Sequence, residues 1–313
     1  MSAKIAMVFP GQGSQSVGML AGYGDMPVIK DTLAEASDIL HQNLGKLIAE
    51  GPAEDLNSTV NTQPVMVTAG ICAWRAWREL GGGDPVVLAG HSLGEYTALV
   101  AAGAISFGDC LPLVRLRGQA MQEAVPRGQG AMAAILGLDD AAVRDACSAA
   151  AQGEVAEAVN FNAPGQVVIA GHAGAVQRAI EAAKARGAKR AVALPVSAPF
   201  HSSLMAPAAA QLRDALAGIT VTAPHIPVIH NVDAKSHADA AAIKTALVSQ
   251  ADHAVLWVDC VREIAARGAT HLLECGPGKV LAPLARRIVE GLRGIALSDR
   301  QGIDQGLQLT EIA

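Results

Sequence analysis

The stretch VVLAGHSLGEYTALVAAGAI, from Val86 to Ile105, places a serine at an abrupt junction between two patterns. Val86 to Ala89 is a short apolar run typical of a buried strand, and the Ala/Leu/Val segment from Leu93 to Ala104 indicates a helix. Between them, Gly90-His91-Ser92-Leu93-Gly94 fits the nucleophile elbow G-x-S-x-G, which requires a strand before it and a helix after it. The sequence therefore predicts an exposed, reactive Ser92 on an α/β scaffold.

The elbow would activate Ser92 in two ways. Its hydroxyl would lie at a helix N-terminus, where the helix dipole favours negative charge, and the main-chain N–H of Leu93 could donate to a developing oxyanion. A serine hydroxyl also needs a base. Among nine histidines, His91 should point away from Ser92 and is at most a supporting residue, whereas His201 is one candidate base among several. The other histidines considered are expected in loops or on the surface: His172, His225, His230, His237, His253 and His271.

The carboxylate that completes an ordinary catalytic triad is not evident. Asp233 and Asp252 follow His201 in the chain, but nothing in their surroundings distinguishes either of them. A serine hydrolase normally orients its histidine with such a carboxylate. This absence argues against an ordinary α/β-hydrolase.

Composition limits the class of protein. The 313 residues suit one large domain with a smaller one, and 51% hydrophobic against 17% charged residues predicts a well-buried core. A net charge of −5 without a long basic run excludes a nucleic-acid surface. The five cysteines are scattered and form no C-x-x-C pair, which indicates reduced thiols and no zinc framework. No segment reaches the roughly 17 to 25 apolar residues of a membrane span, so we expect a cytoplasmic protein.

The order of predicted elements changes along the chain. Strand and helix alternate near the N-terminus, which predicts a parallel sheet covered on both faces. After Gly128 the order becomes β-α-β-β-α-β, that of a ferredoxin-like module. We therefore predict a large α/β domain (1–127 and 197–313) interrupted by a ferredoxin-like subdomain (128–196). Its predicted strands are Ala131–Leu138, Val155–Asn160, Gln166–Ala170 and Ala191–Val196, with a turn at Asn162–Gly165.

Several motifs stand out along the chain: FPGQGSQ (Phe9–Gln15), GHSLGE (Gly90–Glu95), Arg117 within LVRLRG (Leu113–Gly118), NFNAPGQVVIAGH (Asn160–His172), His201 and ECGPG (Glu274–Gly278). The same motifs occur in the same order in malonyl-CoA:acyl carrier protein transacylases of fatty-acid synthesis and in acyltransferase domains of polyketide synthases. The whole chain resembles this family.

The resemblance implies a hydrolase-like fold with an inserted subdomain and a ping-pong acyl transfer in the cleft between them. It implies that Ser92 attacks the malonyl thioester and that His201 is the general base. Gln12 and Leu93 would supply main-chain N–H groups to the oxyanion. A main-chain carbonyl, that of Gln250, would orient His201, which would explain the missing carboxylate.

The resemblance also implies how the acyl group is chosen. Malonyl carries a free carboxylate, which a guanidinium can bind bidentately, and Arg117 would be that residue. Arg115 lies about 200° away around the same predicted helix, so it should pack or face solvent. Phe200 would crowd an α-methyl group and disfavour methylmalonyl. Four further polar residues match positions near the cleft and could contact substrate or merely satisfy loop backbone: Gln63, Asn160, Asn162 and Asn231.

Partners follow from the same resemblance. Malonyl-CoA and acyl carrier protein are the expected partners of a monomer. FPGQGSQ lacks the Gly-Lys-Ser/Thr ending of a phosphate loop, and we expect no metal and no cofactor. Basic residues in the subdomain could meet an acidic carrier protein or could form only a solvated face; they are Lys184, Arg186, Lys189 and Arg190, with Lys279, Arg286 and Arg287 further along the chain.

Three alternatives stay open at this point. A serine esterase or thioesterase could use the same elbow, although a hydrolase of neutral esters needs no buried cation such as Arg117. The acyltransferase could serve a polyketide pathway rather than fatty-acid synthesis. A carrier-protein-binding scaffold with an inactive site would gain no acyl group from malonyl-CoA.

Overall fold

The computed structural model describes residues 3–196 and 198–311. Within them the strands are β1 (Ile5–Phe9), β2 (Val87–Gly90), β3 (Gly130–Leu136), β4 (Ala156–Ala163), β5 (Gln166–His172), β6 (Arg190–Ala193), β7 (Val228–Ile229), β8 (His271–Glu274) and β9 (Arg293–Ala296). The helices are α1 (Pro27–Leu40), α2 (Leu44–Glu50), α3 (Ala53–Asn57), α4 (Thr59–Glu79), α5 (Gly94–Ala101), α6 (Phe107–Glu123), α7 (Asp140–Ala151), α8 (Ala173–Ala185), α9 (Ala206–Ala217), α10 (Ala240–Asp252), α11 (Trp257–Ala266), α12 (Ala282–Ile288) and α13 (Arg300–Glu311).

Five strands form a parallel sheet in the order β7-β2-β1-β8-β9. Successive side chains of a strand point to opposite faces, so Met7 and Phe9 enter the core on one face, whereas Ala6 and Val8 enter the core on the other. Helices cover both faces, which is why these strands are apolar throughout rather than alternating. The predicted mixed α/β fold with a parallel sheet is confirmed.

A second sheet of four antiparallel strands has the order β4-β5-β3-β6. Helices α7 and α8 pack on it and share a separate apolar core with Ile135, Phe161 and Ile169. Strand β4 runs to Ala163, so the turn predicted at 162–165 is shorter than expected, and register shifts interrupt β4 on either side of Asn160. The predicted strand 191–196 ends at Ala193. The predicted junction at Ser197 lies outside the described residues.

Sheet topology places several loops at one edge. Strands β1, β2 and β8 are neighbours in a parallel sheet, and they end at Phe9, Gly90 and Glu274. Ligands of parallel α/β sheets bind outside the carboxyl ends of the strands. The loops that follow these strands carry the FPGQGSQ, GHSLGE and ECGPG motifs, so the fold brings the three motifs together. Among the described residues, each helix is too short or too polar to cross a membrane.

Candidate active site

The elbow is a tight turn that only glycine permits at its two ends. A Cβ added to Gly90 would lie 1.8 Å from the main-chain carbon of Gly94, and one added to Gly94 would lie 2.0 Å from the main-chain oxygen of Phe9. Between the two glycines, Ser92 adopts a left-handed backbone conformation with φ of 52°. Such a conformation is uncommon outside glycine and is concentrated at functional sites. The turn lifts the Ser92 side chain out of the sheet edge.

Ser92 meets His201 although the two residues lie 109 positions apart. The distance from Ser92 Oγ to His201 Nε2 is 2.6 Å. His201 follows the second sheet, has a left-handed φ of 64° and is only 4% exposed. A nucleophile within hydrogen-bond reach of a base is the arrangement that covalent catalysis requires. The structure thus places His201, one of the histidines considered as a base, within hydrogen-bond reach of Ser92.

The second ring nitrogen of His201 fixes its tautomer. His201 Nδ1 lies 2.7 Å from the main-chain oxygen of Gln250. A carbonyl oxygen only accepts, so Nδ1 carries the proton and Nε2 is left to accept one from Ser92. Burial, together with the charge of Arg117, lowers the pKa of His201 to about 3. The imidazole is therefore neutral at physiological pH, which is the form that a general base needs.

Each of the two aspartates considered from the sequence contacts a histidine other than His201. Asp233 contacts His237 at 2.8 Å, and Asp252 contacts His253 at 2.6 Å. Among the described residues, His201 is hydrogen-bonded to Ser92 and to Gln250 rather than to an acidic side chain. The geometry therefore differs from a Ser-His-Asp triad.

Arg117 is a buried cation beside the nucleophile. It is 3% exposed; its Nη1 donates to Gln63 Oε1 at 2.9 Å, and its Nη2 donates to Gln250 Oε1 at 2.9 Å and to Ser92 Oγ at 3.2 Å. The guanidinium carbon lies 5.3 Å from the centre of the Tyr96 ring, within cation–π range. Burial lowers the pKa of Arg117. Within residues 3–196 and 198–311, no carboxylate forms an ion pair with Arg117, and its Nε has no hydrogen-bond partner.

Arg115 lies on the same helix but has a different environment. It is half-buried, its Nη1 donates to the main-chain oxygen of Leu40 at 3.2 Å, and its Nη2 contacts Gln42. The two arginines therefore diverge as their spacing on a helix predicts.

A cavity of about 590 Å³ opens above Ser92, between the two sheets. Of the predicted site residues, nine line it: Gln12, Gln63, His91, Ser92, Leu93, Arg117, Asn160, Phe200 and His201. Apolar side chains of Met121, Met132, Val168 and Leu194 complete much of the wall. Gln12 and Leu93 border the cavity beside Ser92, and their main-chain N–H groups as oxyanion donors stay a prediction.

Asn162, Asn231 and Gln250 are near the site but do not line the cavity. Asn231 is buried beneath the elbow, where its Oδ1 accepts from the Ser92 N–H at 2.7 Å and its Nδ2 donates to the Gly90 oxygen at 2.7 Å. Asn162 Oδ1 lies 2.8 Å from His91 Nε2. These residues support the elbow and its histidine.

Two buried residues of the site were not recognised from the sequence. His230, expected in a loop or on the surface, lies in the loop that follows β7 but is fully buried there, and its Nδ1 lies 2.8 Å from Glu95 Oε1. Glu95 belongs to the GHSLGE motif, but the motif alone assigns it no task. The sequence feature that could have identified Glu95 is its charge inside an otherwise apolar helix, because Glu is rarely fully buried without partners.

The assembled groups define a class of chemistry. A serine with a neutral histidine base can form an acyl ester, and a neighbouring guanidinium can hold an acidic acyl group. The chain belongs to the acyl transferase domain family, which matches residues 6–293.

The resemblance to malonyl-CoA:acyl carrier protein transacylases is confirmed. The malonyl CoA-acyl carrier protein transacylase of Salmonella typhimurium is 54% identical over 305 residues, which cover 97% of this chain and 99% of the relative. The structure of the acyl-carrier-protein S-malonyltransferase of Burkholderia pseudomallei is 60% identical, with a TM-score of 0.96 over 97% of this chain and 99% of that one. A malonyl-transacylase in complex with its type II polyketide synthase acyl carrier protein is 49% identical, with a TM-score of 0.96 over 99% of this chain and 100% of that one.

Proposed function

We propose that this chain transfers the malonyl group from malonyl-CoA to the phosphopantetheine thiol of acyl carrier protein, through a malonyl ester on Ser92, in fatty-acid biosynthesis. The observation that carries the proposal is the Arg117 guanidinium, buried without a carboxylate partner among the described residues and 3.2 Å from the Ser92 hydroxyl. In a malonyl ester one methylene separates the reacting carbonyl from the free carboxylate. A cation at this distance suits malonyl and is not needed for a neutral ester.

The two half-reactions use the same groups in turn. Ser92 Oγ attacks the thioester carbonyl while its proton passes to His201 Nε2. The carbon–sulfur bond then breaks, and the departing CoA sulfur takes the proton from His201. The pantetheine thiol next gives its proton to His201 and attacks the malonyl ester, and the Ser92 oxygen leaves with that proton. Main-chain N–H groups of Gln12 and Leu93 would stabilise the oxyanion in both steps.

Substrate binding also tunes the base. The charge of Arg117 is one cause of the low pKa of His201. A malonyl carboxylate paired with Arg117 would offset that charge, so the pKa of His201 would rise when the acidic acyl group is in place. The base then holds the serine proton more readily with malonyl than with a neutral acyl group.

The remaining predictions fit this function. The strand order β4-β5-β3-β6 supports a ferredoxin-like subdomain over 128–196, which contributes Met132, Asn160 and Val168 to the cavity wall. Nucleophile, base and carboxylate-binding cation all come from side chains, so the proposed reaction requires no metal and no cofactor. Cytoplasmic location, a monomeric state and independence of membranes stay predictions.

The test follows the acyl group through both half-reactions. The enzyme is incubated with malonyl-CoA, its intact mass is measured, and holo acyl carrier protein is then added, with apo carrier protein as the control that lacks the thiol. We expect a malonyl adduct that moves to the holo carrier and not to the apo form. Release of free malonate without malonyl carrier would identify a thioesterase, and absence of any adduct would identify a scaffold.

A further inference from the structure

Glu95 is a buried carboxylate that the proposed reaction does not use directly. It lies in the first turn of α5, three residues after the nucleophile, and is fully buried. Its Oε1 lies 2.8 Å from His230 Nδ1, and its Oε2 accepts from the Asn231 N–H at 2.9 Å and from Gln250 Nε2 at 2.8 Å. A buried charge persists only where such hydrogen bonds compensate its desolvation.

Two of these donors belong to residues that touch the reacting groups. Asn231 accepts from the Ser92 N–H through its side chain. Gln250 accepts from His201 through its main-chain oxygen and from Arg117 through its side-chain oxygen. One residue therefore links Glu95 to each of the two groups: Asn231 links it to the nucleophile, and Gln250 links it to the cation.

The side-chain amide of Gln250 bridges two opposite charges. Its NH₂ group donates to Glu95 Oε2 and to the Ser92 main-chain oxygen, both at 2.8 Å, while its Oε1 accepts from Arg117 at 2.9 Å. A flipped amide would place its oxygen against the carboxylate and its NH₂ against the guanidinium, and would lose all three hydrogen bonds. Glu95 and the Ser92 main-chain oxygen thus together fix which end of the amide faces Arg117.

We infer that Glu95 is a positioning residue for acyl-group selection, acting on Arg117 through the Gln250 amide. The amide gives the guanidinium a neutral acceptor, and the compensating negative charge stands one residue further away. A carboxylate in direct contact with Arg117 would compete with the carboxylate of the substrate. The inference rests on the proposed malonyl transfer.

The substitution Glu95→Gln can keep the geometry of the Glu95 hydrogen bonds and remove the charge of the carboxylate. In Glu95→Gln the new oxygen can take the place of Oε2 and accept from Asn231 and Gln250. The new NH₂ group can donate to His230 Nδ1 once that ring carries its proton on Nε2. This change of tautomer breaks no hydrogen bond at Nε2, because His230 Nε2 has no hydrogen-bond partner among the described residues. Glu95→Ala removes every contact.

The experiment compares kcat/KM for malonyl-CoA and acetyl-CoA in the intact enzyme, with circular dichroism to confirm folding. Glu95→Ala should lower the malonyl-to-acetyl ratio by about tenfold to a hundredfold, the range for a lost hydrogen bond to a charged group. Glu95→Gln should keep the ratio within about threefold of wild type, since it retains the bonds that orient the amide. Gln250→Met, which keeps the main-chain carbonyl that holds His201, should reproduce the loss and should not add to that of Glu95→Ala.

The outcomes separate the inference from the function. Equal losses of malonyl and acetyl transfer in Glu95→Ala would make Glu95 a merely structural residue, and a Glu95→Gln variant as impaired as Glu95→Ala would show that charge rather than orientation matters. Either result overturns the inference while malonyl transfer by the wild type stands. If Glu95→Ala does not fold, a Gln250→Met variant with an unchanged ratio overturns it in the same way. Failure of the wild type to form a malonyl adduct overturns both.

Discussion

In the proposed function, the guanidinium of Arg117 carries the choice of acyl group. Truncating one member of a desolvated charge pair typically costs roughly 2 to 5 kcal/mol. Arg117→Ala should therefore raise the activation free energy of malonyl transfer by that amount. Acetyl transfer should change little or increase, because a buried unpaired cation would no longer oppose a neutral acyl group. The measurement is kcat/KM with malonyl-CoA and acetyl-CoA. Arg115→Ala is the matched control, and equal losses for both substrates in Arg117→Ala would contradict the assignment.

The protonation of His201 makes a second prediction. A base works only when deprotonated, so activity falls as pH drops through its pKa. Burial and the charge of Arg117 lower that pKa to about 3. Acylation from acetyl-CoA should therefore persist well below about pH 6.5, which is the ordinary pKa of histidine. Arg117→Ala removes one cause of the low pKa, so its activity should be lost at a higher pH than that of wild type.

The pH profile of kcat/KM with acetyl-CoA checks this prediction. Acetyl-CoA is the substrate of choice because it has no carboxylate of its own to offset Arg117. Arg115→Ala, which lacks contact with the catalytic pair, should retain the wild-type profile. A wild-type activity that falls near pH 6.5, or an Arg117→Ala profile shifted to lower pH, would refute the electrostatic account of the base.

Part of the site was predictable residue by residue. The elbow identified Ser92 because its glycines and its strand–helix context form a local pattern, and the helical spacing of Arg115 and Arg117 allowed only one of them to face the cleft. The tasks of Glu95 and His230 were not predictable, since their contact joins residues 135 positions apart. No local rule relates α5 to the loop after β7, and the expected loop position of His230 gives no sign that its side chain is buried.

The junction of β1, β2 and α5 depends on the absence of a side chain at Gly94. Gly94→Ala would force a Cβ to within 2.0 Å of the Phe9 oxygen. Overpacking of this kind usually costs about 1 to 3 kcal/mol, and here it should also displace Ser92 and prevent acylation. Chemical denaturation and adduct formation measure the two effects.

Gly108→Ala is the matched control for this substitution. Gly108 is on α6, and a Cβ there would lie 3.9 Å from its nearest neighbour, the Ser106 hydroxyl. Alanine is a better helix former than glycine, so this variant should be at least as stable as wild type. A Gly94→Ala protein with wild-type stability and acylation would show that the elbow does not need its close contact.

Strands and helices were predictable where their apolar pattern was continuous. The predicted strand Val86 to Ala89 matches β2 to within one residue at each end, whereas β4 extends past its predicted limit because the register shifts around Asn160 let polar residues continue the ladder. Strand β9 was not predicted at all. It is a four-residue edge strand with the exposed residues Arg293 and Gly294, and it carries too little apolar pattern to stand out from a loop.

The charge distribution over the molecule suggests where a carrier protein approaches. The basic residues Lys184, Arg186, Lys189 and Arg190 are exposed near the end of α8 and in β6, and the segment after β6 supplies Leu194 to the cavity. Exposed charges act mainly on encounter rate. Reversal of Lys189 and Arg190 to Glu should therefore raise KM for an acidic carrier protein and weaken its salt dependence.

Steady-state kinetics with holo carrier protein at several salt concentrations checks this surface. Formation of the malonyl enzyme from malonyl-CoA should be unchanged, because neither residue lines the cavity. Arg213→Glu is the matched control, since this exposed residue is on α9, which packs against α6 and α10. Unchanged carrier kinetics in the doubly reversed variant would mean that the basic residues form only a solvated face.

The intact mass of the protein after incubation with malonyl-CoA tests the central claim most directly. The account predicts that wild type gains one malonyl group and that Ser92→Ala, whose elbow glycines are retained, folds normally and gains none. Ser203→Ala, which changes an exposed serine two residues after His201, should gain the group as wild type does. A folded Ser92→Ala protein that still acquires a stable malonyl group would contradict the account, because the acyl group would then reside on a residue other than the elbow serine.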